Sequence, residues 1–173
     1  GQPACEMCLP GYAQSGNKQT KCEACPNGEY GNDTKLHNCH KCPRGYMQGE
    51  SGQASCLPCI PGKFSNQSGA IACIQCKAGR FLESSKGKEC HKCPKGRNTG
   101  ASGQSMCSSC PAGRWKNVSN QLFYPMEIDN PFYTCVNCPA GWAHDKQNQL
   151  FCRICSVGLF SLSGAANCMR CDL

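Results

Sequence analysis

Ten Cys-x-x-Cys pairs recur along this chain at a nearly constant interval, and they contain all 20 of its cysteines. The first cysteines of the first seven pairs lie 17 residues apart, and the step then becomes 28, 17 and 16 residues. A fixed short period indicates one structural unit copied in tandem. We therefore expect a linear array of small repeats.

Each repeat also carries the same turn sequence. A glycine lies three residues after the second cysteine of every complete unit, and a proline usually precedes it, as in Pro26-Asn27-Gly28. Proline fixes φ and glycine accepts positive φ, so this pattern favours a tight turn. An aromatic residue usually follows and would enter a short strand. The pattern predicts a turn, a short strand, a second turn and a second short strand leading into the next cysteines, with no helical periodicity.

Composition explains why such a repeat needs crosslinks. One aromatic per 17 residues cannot form a hydrophobic core, whereas 20 cysteines in 173 residues are typical of a disulfide scaffold. No membrane span or signal peptide is evident. We expect a small, disulfide-rich, all-β and loop-dominated fold, an elongated tandem-repeat rod without a central hydrophobic core.

The cysteine spacing also sets the expected boundaries. The chain begins and ends within a repeat, so we interpret it as a segment cut from a longer protein. We assign residues 1–7 to the end of a preceding repeat, 8–109 to six regular repeats, 110–137 to a seventh with an aromatic insertion at 121–133, 138–171 to two further repeats, and 172–173 to a following segment.

Three disulfide schemes compete: bonds within each Cys-x-x-Cys, a ladder between equivalent cysteines, and bonds from the second cysteine of one pair to the first of the next. We favour the third, because each bond then closes a loop of about 15 residues, worth roughly 3 kcal/mol. It joins Cys8–Cys22, Cys25–Cys39, Cys42–Cys56, Cys59–Cys73, Cys76–Cys90, Cys93–Cys107, Cys110–Cys135, Cys138–Cys152 and Cys155–Cys168. Cys5 and Cys171 would bond cysteines outside the segment.

The run from Cys25 to Tyr30, closing at Cys39-His40-Lys41-Cys42, resembles the ephrin-receptor-like cysteine-rich repeat. That repeat is similar to the single-disulfide module of tumour-necrosis-factor receptors. The resemblance extends over essentially the whole chain. It implies a secreted or ectodomain setting, disulfide bonding and an elongated shape, but it implies no ligand.

Zinc is the main chemical alternative, because Cys-x2-Cys-x13-Cys-x2-Cys is close to the spacing of four-cysteine sites. Such sites use the pairs two by two, yet here every interval carries the same turn signature, so we disfavour zinc and expect no metal or cofactor. His40 and His91 lie inside cysteine pairs, where we expect them to be solvated. No catalytic grouping is evident, and we expect no enzyme.

Three Asn-x-Ser/Thr sequons lie at the same position within their repeats. Asn32, Asn66 and Asn117 each lie seven residues after the second cysteine of their unit, on the expected tip turn. We predict that at least two carry N-glycans.

The net charge is +7. Four of the basic residues occupy the same position within successive repeats, four residues after the second cysteine: Lys63, Arg80, Arg97 and Arg114. If the units stack with little rotation, these side chains form a row that could contact acidic polysaccharide or acidic side chains. If the rotation is large, they form a spiral of ordinary solvated charges. We do not expect nucleic acid as a partner.

The insertion is the densest apolar stretch of the chain, and Phe123, Tyr124, Phe132 and Tyr133 are our interface candidates. The alternative is a self-packed hairpin bracketed by prolines.

Two functional hypotheses follow from the sequence. One is a structural glycoprotein of an extracellular filament, surface appendage or cell coat, assembling with copies of itself or with other extracellular structural proteins. The other is a ligand-binding or spacer region of a cell-surface receptor ectodomain.

Overall fold

The computed structural model describes residues 7–14, 21–115 and 135–171. Phe123, Tyr124, Phe132, Tyr133 and Asn117 lie outside these residues. The chain divides into two compact units. The first contains Gly1–Cys76 and Leu82–Cys90, and the second contains Lys77–Phe81 and His91–Leu173.

The described residues form 18 strands of two residues each, paired in nine antiparallel hairpins, and no helix. In chain order the strands are β1 Tyr12–Ala13, β2 Glu23–Ala24, β3 Glu29–Tyr30, β4 His40–Lys41, β5 Tyr46–Met47, β6 Leu57–Pro58, β7 Lys63–Phe64, β8 Ile74–Gln75, β9 Arg80–Phe81, β10 His91–Lys92, β11 Arg97–Asn98, β12 Ser108–Ser109, β13 Arg114–Trp115, β14 Val136–Asn137, β15 Trp142–Ala143, β16 Arg153–Ile154, β17 Leu159–Phe160 and β18 Met169–Arg170.

Each hairpin belongs to one repeat. The first strand occupies positions four and five after the second cysteine of a pair, and the second strand consists of the two residues inside the next Cys-x-x-Cys pair. The sequence pattern predicts the second strand before that pair, and this prediction is wrong. A two-residue strand gives no periodicity by which the sequence could locate it.

The turn before each first strand forms as the Pro-x-Gly pattern predicts. In the second repeat the Glu29 amide donates to the Pro26 carbonyl at 3.0 Å, and Gly28 has a φ of 84°. A positive φ at the third residue of a four-residue turn is the type II geometry, which favours glycine. The same hydrogen bond and the same positive-φ glycine recur in all nine described repeats.

Neighbouring repeats are joined through their backbones. The Gly28 amide donates to the Gln48 carbonyl at 2.7 Å, and the Gly31 amide donates to the Gln53 carbonyl at 3.1 Å. In the opposite direction, the Gly52 amide donates to the Cys25 carbonyl at 2.8 Å. These are three of the backbone hydrogen bonds that join the second and third repeats. Equivalents of the Gly28 and Gly52 bonds recur in both units, and because they join backbone groups, this part of the stacking depends little on side-chain identity.

Repeats two apart also touch. The turn glycine of the second repeat faces the backbone carbonyl of Gly69 in the fourth repeat so closely that a Cβ atom would overlap it. Gly45 faces Lys86 in the same way, and the Lys86 ammonium lies 5.6 Å from the centre of the Tyr46 ring. The turns of the second and third repeats therefore each pack against the two repeats that follow.

The interior of each unit consists largely of sulfur. The largest fully buried side chains of the described residues are the half-cystines at 25, 42, 59, 76, 110 and 138. One small apolar cluster joins Leu82 to Cys76 and Cys90, with Phe64 packed against it. The prediction of a disulfide-rich fold dominated by strands and loops is confirmed.

Replacing Gly28 by alanine should cost more stability than replacing Gly141. Both glycines have positive φ, so each substitution should cost about 1–2 kcal/mol. No atom lies within 4 Å of a Cβ at Gly141, whereas a Cβ at Gly28 would overlap Gly69, adding about 1–3 kcal/mol. Denaturant unfolding with intact disulfides measures the difference. Equal losses would contradict contact between repeats two apart.

Candidate functional site

Nine disulfides join cysteines of the described residues, each from the second cysteine of one pair to the first of the next. They are the nine bonds of the scheme favoured from the sequence. Cys59 and Cys73, for example, have Cα atoms 5.7 Å apart, a usual disulfide separation. The bond from Cys110 to Cys135 spans 25 residues, so it encloses the insertion. Cys171 is exposed and unbonded in the described residues, and Cys5 lies outside them.

A buried polar position, which the sequence reasoning missed, lies six residues after the second cysteine. Gln48, Ser65, Thr99, His144 and Ser161 occupy it, and each exposes 6% or less of its surface. Leucine occupies the same position in the fifth repeat. The sequence signal that could have revealed this buried position is the recurrence of small or polar residues six places after the second cysteine.

Three of these buried side chains, those of Thr99, His144 and Ser161, help to join neighbouring repeats. The Ser161 hydroxyl donates to the Trp142 carbonyl at 3.0 Å, and His144 Nε2 donates to the Arg114 carbonyl at 2.8 Å. Thr99 Oγ1 accepts from the Gly79 amide at 2.7 Å and makes a longer contact of 3.4 Å to the Arg80 carbonyl. In all three cases the carbonyl belongs to the first strand of the preceding repeat. The side chain thus satisfies a backbone acceptor on that strand.

His144 also lies against a disulfide. Its ring and the sulfurs of Cys138 and Cys152 have ligand atoms within 4.8 Å of one another, a grouping of the kind that binds metal ions. The two sulfurs are bonded to each other, however, and thiolate is the form that binds zinc. His144 Nδ1 is buried without a hydrogen-bond partner in the described part of the chain.

Two of the three sequons can be placed. Asn32 and Asn66 are exposed, and each lies two residues beyond the end of the first strand of its hairpin, at the start of the tip turn. The Asp33 carboxylate accepts from the Lys35 amide at 3.3 Å and so shapes the turn of the first sequon. Both asparagines therefore project from the repeat where a glycan has room.

The four basic residues that share a position in the sequence repeat also share a position in the structure, each in its own hairpin. Lys63, Arg80, Arg97 and Arg114 open strands β7, β9, β11 and β13. Lys63 belongs to the first unit and the three arginines to the second. The residues opposite them in register are Gln75, Lys92, Ser109 and Asn137. Sequence phase alone did not identify Lys92.

Comparison with known proteins adds one finding. Residues 28–72 match the family model described as "Tyrosine-protein kinase ephrin type A/B receptor-like". Over these residues the chain resembles the ephrin-receptor-like cysteine-rich repeat. The match spans parts of the second to fourth repeats, and the same disulfide pattern continues on both sides of it. No curated protein matches the chain significantly.

The match and the tandem disulfides together suggest a disulfide-rich module of the extracellular type, as the resemblance implied. The described part of the chain contains no helix of the length and hydrophobicity that crossing a bilayer requires.

We expect N-glycans on at least two of Asn32, Asn66 and Asn117, because the described pair lies exposed on tip turns of the ephrin-receptor-like repeats. Peptide mass spectrometry of native protein, before and after enzymatic deglycosylation, measures occupancy. Asn27 and Asn38, which are exposed but outside any sequon, are internal controls. Three unmodified sequons would contradict this prediction and remove its support for a secretory route.

Proposed function

We propose that this chain is part of a structural glycoprotein of an extracellular filament, surface appendage or cell coat. The repetition of one backbone arrangement is the observation that carries the proposal. The same turn, the same disulfide and the same inter-repeat hydrogen bonds recur with little dependence on the side chains. Such a scaffold supplies length and rigidity, and it does not require a separate binding pocket in each repeat.

The disulfides also favour a location outside the cell or at its surface. Nine bonds of this kind form and persist in oxidising compartments, and a reducing cytosol would open them. Each bond limits how far its repeat can be stretched or opened to a protease. We assign the chain no catalytic activity and no cofactor, because its regular features all serve folding and stacking.

Assembly would use surfaces that the regular scaffold does not need for its own folding. The insertion at 121–133, closed off by the Cys110–Cys135 disulfide, contributes Phe123, Tyr124, Phe132 and Tyr133. Aromatic residues are enriched at protein interfaces, where a few of them carry most of the binding energy. The expected partners are copies of this chain or other extracellular structural proteins.

The second candidate is a ligand-binding or spacer region of a receptor ectodomain. The description of the matching family, which names a receptor kinase, favours it. In that case the irregular seventh repeat would be the ligand-binding element, and purified protein would remain as isolated molecules.

Negative-stain imaging of purified native material separates the two functions. The filament proposal predicts polymers with a regular axial repeat, and the double substitution Phe123→Ser/Phe132→Ser should raise the concentration needed for assembly about tenfold or more. A matched control, Phe151→Ser/Phe160→Ser, removes two exposed aromatics from regular repeats and should assemble normally. Isolated molecules under all conditions, or equal effects of the two variants, would contradict the proposal.

A further inference from the structure

The residue six places after the second cysteine lies against the disulfide of its own repeat. In the fifth repeat it is Leu82, which packs in one apolar cluster with Cys76 and Cys90. In the second repeat it is Gly31, where a Cβ atom would lie 3.2 Å from the sulfur of Cys25. The side chain at this position therefore sets the chemical surroundings of the sulfur–sulfur bond.

In the eighth repeat this position carries an imidazole. A ring nitrogen of His144 and the sulfurs of Cys138 and Cys152 lie within 4.8 Å of one another. All three residues are buried. None of the other eight repeats has a histidine six places after its second cysteine. The eighth repeat is therefore distinguished from the others by a basic nitrogen beside its disulfide.

The hydrogen bonds of His144 determine which ring nitrogen is free. Nε2 donates to the Arg114 carbonyl at 2.8 Å, so that nitrogen carries a proton. Nδ1 of the neutral ring is then a lone pair, and it is buried without a hydrogen-bond partner in the described residues. Because a disulfide has no proton to donate, the neighbouring sulfurs cannot satisfy it. Burial of an unsatisfied acceptor is unfavourable.

Reduction of this disulfide would supply the missing donor. A dithiol reductant transfers two electrons and two protons, so that its own sulfurs become a disulfide while Cys138 and Cys152 become two thiols. One of these thiols can donate its proton to His144 Nδ1, as a hydrogen bond or as a thiolate–imidazolium pair. The contact exists only in the reduced state. It therefore lowers the free energy of the dithiol relative to the disulfide.

The ring would keep its place after reduction, because the seventh repeat holds it. The Gly113 amide donates to the His144 carbonyl at 2.9 Å, and the imidazole is bonded to Arg114. Cys138 is held from both sides: its amide donates to the Gly113 carbonyl at 2.9 Å, and its carbonyl accepts from the Gly164 amide at 2.8 Å. None of these four hydrogen bonds involves sulfur.

The disulfide between Cys76 and Cys90 is a matched comparison within the same chain. Its loop also spans 14 residues, and its cysteines are 0% and 9% exposed, against 0% and 7% for Cys138 and Cys152. Leu82 lies beside it in place of a histidine. The burial of the two bonds is therefore equal, and the chemistry of the neighbouring side chain differs.

We propose that Cys138–Cys152 is a thiol-exchange site, a disulfide that a dithiol reductant opens more readily than one of equal burial because His144 accepts a proton from the thiol that forms. Such a bond would let the eighth repeat respond to dithiols while the other repeats stay crosslinked. The inference goes beyond the structural role proposed above and does not depend on filament assembly.

Equilibration of the native full chain in graded mixtures of reduced and oxidised dithiothreitol tests the proposal. Thiols are trapped with N-ethylmaleimide, and peptide mass spectrometry then measures the reduced fraction of each disulfide. Cys138–Cys152 should be half reduced at a ratio of reduced to oxidised dithiol about tenfold lower than Cys76–Cys90 requires. His144→Gln keeps an N–H donor for the Arg114 carbonyl but has no basic nitrogen, so it should raise the ratio for Cys138–Cys152 about tenfold.

Gln48→His is the reciprocal variant, because Gln48 occupies the same buried position in the third repeat. It should make Cys42–Cys56 severalfold easier to reduce and leave Cys138–Cys152 unchanged. This variant keeps the proposal testable even if His144→Gln does not fold. Thermal unfolding without reductant checks that each variant is folded before the titration.

Two results would overturn the proposal. One is an equal ratio for Cys138–Cys152 in the parent chain and in folded His144→Gln, and the other is a Gln48→His chain in which Cys42–Cys56 is no easier to reduce. All samples contain EDTA. A preference that appears only when Zn²⁺ replaces EDTA would also overturn the proton-acceptor role, and it would assign His144 and the two cysteines to a metal site instead.

Discussion

The disulfide that closes each repeat is the constraint on which the rest of the structure depends. It joins residues 14 apart in seven of the nine cases and brings the turn glycine and the first strand beside the next cysteine pair. Two-residue strands could not hold this geometry alone, since an isolated hairpin is marginal in water. Half-cystines take the interior places that apolar side chains fill in a larger domain.

Stacking then relies on the backbone. Turn amides bind carbonyls of the next repeat, turn glycines leave room for a carbonyl two repeats away, and small polar side chains such as Thr99 and Ser161 cap the remaining acceptors. Because these contacts make few demands on the strand side chains, position four can be Glu29 in one repeat and Arg80 in another. One scaffold can thus carry side chains of either charge at the same position.

Much of the fold could be predicted from the sequence. Cysteine spacing indicated the repeats and favoured one pairing, and Pro26-Asn27-Gly28 indicated the turn, because both features act over short distances along the chain. The second strand was misplaced because two residues carry no period. The buried role of His144 and the contact between Gly28 and Gly69 could not be predicted, since both depend on how repeats stack.

The positions of the basic residues were likewise only partly predictable from the sequence. Phase along the sequence was enough to group Arg80 with Arg97, because both open equivalent strands. It could not reveal Lys92, which reaches the same face only through the register of the hairpin. Nor could it separate Lys63 from the three arginines, since the division into units comes from contacts in space.

Protease resistance of the native protein, compared after treatment with a reductant and with a chelator, tests the central claim most directly. If disulfides hold the repeats together, reduction should make the chain rapidly digestible and the chelator should change nothing. A chain that a chelator exposes to protease while a reductant leaves it resistant would contradict the account, because metal ions rather than sulfur–sulfur bonds would then stabilise the fold.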